Sequence, residues 1–61
     1  MSVLAKYEFP DRASTEAAAM KCRYESGADI LAYGNFIEIT TYARNVEVLA
    51  KICLANGGKV K

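Results

Sequence analysis

The feature that most constrains this chain is the dipeptide Gly34-Asn35, set between two strand-like runs at residues 29–33 and 36–42. A two-residue loop of this kind closes a β-hairpin, with glycine supplying the positive φ needed at its first position. The run at 36–42 alternates, with Ile37, Ile39 and Thr41 on one side and Phe36, Glu38, Thr40 and Tyr42 on the other. Such a period of two marks a half-buried strand. Residues 3–9 repeat the pattern: Val3, Ala5, Tyr7 and Phe9 share one face, and Leu4, Lys6 and Glu8 the other. Pro10 ends this strand because it has no N–H for a ladder.

Two helices fill the remaining segments. Asp11 or Ser14 is suited to cap the first by accepting hydrogen bonds from its free amides, and the helix is expected to run to about Glu25. Its main apolar stripe is Ala13, Ala17, Met20 and Tyr24 at helical spacing, with Ala18, Ala19 and Cys22 on its back. Gly27 is the expected left-handed stop. The second helix is expected to start near Asn45, a capping residue, and to end at Asn56-Gly57-Gly58. Only Glu47 and Lys51 interrupt its apolar residues, a wider arc than a surface helix normally carries. That surplus, around Val48 and Ile52, is open to two readings: contact with the first helix, or self-association with a second copy. The tail at Lys59 to Lys61 is long enough only for a strand stub.

The 61 residues are expected to form a single domain spanning residues 1–61. A chain of this size buries only about 60% of its unfolded surface, so its core is thin. The composition is 52% hydrophobic, but much of that is alanine, which buries little area. Large side chains come mainly from Val3, Leu4, Phe9, Ile30, Leu31, Phe36, Ile37, Ile39, Leu49, Ile52 and Leu54.

A helix joins the first and second strands, which implies a parallel pair with a right-handed crossover. Placing the third strand between them pairs every long strand, and the stub can add beside the first. The expected order is stub, first, third, second. This α+β plan, β-α-β-β-α with a short fourth strand, resembles the ferredoxin-like split βαβ arrangement, with both helices on one face of an antiparallel sheet. Val3, Ala5, Tyr7, Phe9, Ile37 and Ile39 would face the helices. Leu4, Lys6, Glu8, Phe36, Glu38, Thr40 and Tyr42 would line the opposite, open face. That face reads either as a solvated surface with paired charges or as a recognition surface anchored by its aromatics.

Several chemistries lack their residues. There is no histidine, which removes the usual neutral-pH base and the Ser/His and Cys/His nucleophile systems. The two cysteines, Cys22 and Cys53, are far apart in sequence and have no clustered carboxylates, so neither a metal site nor a cofactor is expected. They read as packing side chains in a reducing, cytoplasmic setting, or alternatively as a bridge between two packed helices. No phosphate-binding glycine loop occurs, and no apolar run is long enough to cross a bilayer. Eight basic against seven acidic residues give no strong electrostatic steer toward duplex nucleic acid or an anionic membrane.

The expectation is therefore a non-enzymatic, protein-binding module that is also a homodimer. It would act as an inhibitor, adaptor or regulator of a larger protein; a viral or mobile-element inhibitor would suit the size. The expected partner surface is Lys6, Glu8, Phe36, Glu38, Thr40 and Tyr42. The alternative is nucleic-acid binding through the same face, since RNA-binding sheets of this topology stack bases on exposed aromatics. Against it, Glu8 and Glu38 would repel phosphates.

Overall fold

A computed structural model describes residues 2–25 and 27–61. The elements run β1 (Ser2–Glu8), α1 (Arg12–Arg23), β2 (Ala28–Tyr33), β3 (Phe36–Tyr42), α2 (Ala43–Ala55) and β4 (Lys59–Val60). The sheet order is β2-β3-β1-β4, with every neighbouring pair antiparallel. This is the α+β arrangement the alternation implied, an open four-stranded sheet with two helices, compatible with a ferredoxin-like plan.

Local chemistry explains most boundaries. Gly34, at φ +55°, turns β2 into β3, and the backbone N–H of Phe9 donates to the Asn35 carbonyl at 2.8 Å, tying the end of β1 to that turn. Asp11 caps α1, its Oδ1 accepting from the Ser14 N–H at 2.7 Å. That hydrogen bond favours the ionised carboxyl and holds it below its ordinary pKa. At the end of α2 the N–H of Gly58 donates to the Cys53 carbonyl and that of Gly57 to the Leu54 carbonyl. With Gly57 at φ +86°, this is a complete Schellman closure.

The core joins Tyr7, Phe9, Ile37 and Ile39 from the sheet to Ala18, Ala19 and Cys22 of α1 and Leu49 and Cys53 of α2. Ala5, Ile30, Ala32 and Ile52 pack around its edge. The buried hydroxyls of Thr15 and Thr41 are satisfied by donating to the carbonyls of Asp11 and Gly27. Of the large apolar side chains named from the sequence, Val3, Leu4, Leu31, Phe36 and Leu54 stay outside this core.

Three expectations about the helices need correction. The face of α1 that meets the sheet is Thr15, Ala18, Ala19 and Cys22, while Ala13, Ala17, Met20 and Tyr24 point to solvent. Tyr24 is 85% exposed and Met20 62%. Small side chains let α1 sit close to both the sheet and α2, and close packing outweighs the larger apolar area of the other stripe. The helix also ends at Arg23, short of Glu25. Finally, α2 starts at Ala43, directly after β3, with Tyr42 as an N-cap that provides no side-chain hydrogen bond. Asn45 lies in the first turn, where its Nδ2 donates to Thr41 Oγ1 at 3.4 Å. The earlier start brings Arg44 into line with Glu47 and Lys51, all three exposed, so α2 does have a polar outer ridge.

Candidate protein interface on the open sheet face

Strand register builds this face row by row. Glu8 pairs with Phe36, and Phe36 with Tyr33; Lys6 pairs with Glu38, and Glu38 with Leu31; Leu4 pairs with Thr40, and Thr40 with Asp29; Ser2 pairs with Tyr42. Side chains paired across adjacent strands project to the same side. The six expected residues, Lys6, Glu8, Phe36, Glu38, Thr40 and Tyr42, therefore share one surface. Leu31, Tyr33 and Asp29 of β2 join them.

One end of the face is a tight cluster around Lys6. The ammonium nitrogen lies 4.8 Å from the centroid of the Phe36 ring and 5.7 Å from that of Tyr33, both within cation–π range. The two rings are 5.8 Å apart and tilted by 30°. The Tyr33 hydroxyl donates to Glu38 Oε2, which fixes the ring over the sheet. At the border, Lys61 Nζ pairs with Glu8 Oε1 at 3.3 Å. The aromatics are thus held in place by charged neighbours in the same cluster, which lowers the entropy that a contact through them would cost.

The remainder of the face mixes exposed apolar side chains with polar ones. Leu4 is 67% exposed and Leu31 58%. Tyr42 is half exposed, with the Arg44 guanidinium 5.5 Å from its ring centroid. A shallow depression at this end is lined by Ser2, Asp29, Thr40 and Tyr42 among others. Carboxylates (Glu8, Asp29, Glu38) and ammonium groups (Lys6, Lys59, Lys61) balance across the surface.

The two residues expected to serve self-association are neighbours on α2 with different environments. Val48 is half exposed, whereas Ile52 packs against the core. The residues that sequence reasoning missed are Leu31 and Tyr33 on the sheet, and Met20 and Tyr24 on α1. The first two were accessible from the hairpin: a two-residue loop sets Tyr33 opposite Phe36, and alternation then puts Leu31 on the same face. No comparable signal marks Met20 and Tyr24.

Among the described residues no group of three or more Cys, Asp or Glu side chains is placed to hold a metal ion. No helix among the described residues is long and apolar enough to cross a membrane. No family model matches the chain, and no curated protein or solved structure matches it either.

Proposed function

We propose that this chain is a non-enzymatic protein-binding module that engages a larger protein through the open face of its sheet, as an inhibitor, adaptor or regulator. The observation that carries the reading is the composition and order of that face. Exposed Leu4, Leu31 and Tyr42 lie beside a Tyr33–Phe36 pair already immobilised by Lys6 and Glu38. Ordered aromatics are enriched at interfaces and among their hot spots, and a polar, charged rim commonly surrounds them. Balanced charge also suits a protein partner better than a polyanion, whose binding is driven by phosphate contacts with basic groups.

The reading extends to self-association, for which Val48 on α2 supplies exposed apolar surface beside Ile52. Sedimentation at several concentrations tests this, and a monomer mass at every concentration would overturn it. The partner surface is tested by capture from cell lysate with the native chain and with a Leu31→Ala/Tyr42→Ala double variant. Both changes remove exposed side chains, so the fold is retained. The expected result is a protein captured by the native chain and lost with the variant. Equal capture by both would overturn the open-face reading. Filter binding of single-stranded RNA across a salt series separates the alternative, since affinity there would fall steeply as salt rises.

A further inference from the structure

Cys22 and Cys53 are the only cysteines in the chain, thirty-one positions apart in sequence, and the fold brings their sulfur atoms to 4.0 Å. Both are fully buried free thiols. Each sits in the last turn of its helix, Cys22 before the end of α1 at Arg23 and Cys53 before the end of α2 at Ala55. They meet where the two helices touch, away from the open face. We infer that Cys22 and Cys53 are a latent disulfide, a modification site at which a low-molecular-weight disulfide oxidant staples α1 to α2.

The geometry is near what the bond requires. A disulfide has its sulfurs about 2.0 Å apart, so from 4.0 Å the pair must close by about 2 Å. In the folded state both thiols are buried out of reach of an oxidant; their mutual hydrogen bond lowers the pKa of Cys22, whereas Cys53 is held protonated by that bond and by burial. Oxidation therefore proceeds through opening of the terminal helical turns, the parts of a helix that fray first. In the opened state one cysteine thiolate attacks the oxidant RSSR and displaces RS⁻. The second cysteine thiolate attacks the resulting mixed disulfide at the protein sulfur and displaces the other RS⁻. Two electrons pass from the protein to the oxidant, and the two cysteine protons end on two RSH. Reclosure then places the new bond in the core cluster that includes Tyr7.

The consequence is large for so small a domain. Closing a loop of about thirty residues removes much of the freedom of the unfolded chain, and raises the folded-to-unfolded ratio by about 10²-fold or more. The protein would then have a marginal form in reducing surroundings and a stapled form in oxidising ones.

The test equilibrates the whole native chain in reduced and oxidised glutathione mixtures, then measures thiol count, intact mass and thermal midpoint. The expected product is a monomer lighter by two hydrogen atoms, with both thiols lost together and restored by reductant. Its Tm should rise by about 10 °C or more. Cys22→Ala should keep its remaining thiol and show no such rise. Retention of both thiols, under a mixture that oxidises the urea-denatured chain, would overturn the inference. So would a glutathione adduct or disulfide-linked dimer as the main product, or a lower Tm on oxidation. Should Cys22→Ala fail to fold, the mass and thiol count of the native chain decide the question alone.

Discussion

Replacing Gly58 by Ala tests whether the close of α2 is as tightly built as its geometry indicates. A Cβ on Gly58 would lie 2.7 Å from Phe9 Cε2, 2.8 Å from Phe9 Cζ and 2.8 Å from the Cys53 carbonyl oxygen. All are closer than any carbon tolerates. Phe9 is only 3% exposed, so its ring cannot swing into solvent without opening the core. The Cys53 oxygen is backbone and accepts the Gly58 N–H at 2.9 Å, so moving Gly58 away sacrifices that bond. Overpacking of this kind costs about 1–3 kcal/mol, and loss of the capping hydrogen bond adds about 1 kcal/mol. Reduced freedom of the unfolded chain returns about 0.4–1 kcal/mol, for a net loss of about 1–3.6 kcal/mol, centred on about 2 kcal/mol. In a chain this short that lowers Tm by on the order of 10–20 °C. Gly57→Ala is the control. There the Cβ meets Pro10 at an ordinary 3.5 Å, and the cost is that of holding alanine at φ +86°, about 1–2 kcal/mol. Urea titrations followed by circular dichroism give both midpoints at comparable slopes. Equal midpoints for the two variants would refute the steric argument.

Other consequences can be measured on the same preparations. Asp11→Ala removes the cap on α1 and should lower Tm by a few degrees, about the usual effect of losing an N-cap. Because the folded state holds the Asp11 carboxyl below its ordinary value, this contribution is complete at neutral pH. It should fade as pH falls through the folded pKa, so the native chain and Asp11→Ala should converge in acid; a constant gap would contradict the assignment. Tyr7 behaves in the opposite sense: burial, then the neighbouring thiols, raise its pKa above 10.0. Its contribution is intact below that value and is lost as pH rises toward the folded pKa, so Tyr7→Phe should lessen the alkaline fall in stability. An alkaline limb of unchanged steepness, followed by near-ultraviolet absorbance, would show that Tyr7 is not the responsible group. Ile37→Ala empties the centre of the sheet, where Ile37 is fully buried, and should cost about 2–5 kcal/mol. That is enough to unfold a chain near the lower size limit, visible as loss of the cooperative thermal transition.

The sheet was legible in the sequence because its signals are local and mutually consistent. Gly34-Asn35 fixes the β2–β3 hairpin, the two alternating runs fix the faces of β1 and β3, and one covered face leaves a single sensible strand order. The helices were less legible for a reason specific to this composition. α1 is apolar on two sides, and periodicity alone cannot say which side goes inward. Size suggested Met20 and Tyr24; proximity selected Thr15, Ala18, Ala19 and Cys22, because larger residues would have pushed α1 away from the sheet and from α2. At α2 the capping preference of Asn45 competed with the direct run of β3 into the helix, and Asn45 instead bonds Thr41, whose hydroxyl also closes onto Gly27. The same economy bears on function. A core built on Tyr7, Phe9, Leu49 and two isoleucines, closed by alanines and cysteines, leaves Leu4, Leu31, Tyr33, Tyr42, Met20 and Tyr24 at the surface. In a chain of 61 residues, burying those side chains internally would have been the shorter route to stability. Their placement outside is the structural reason to look for a partner, and the sheet face, where charged neighbours hold the aromatics still, is the first place to look.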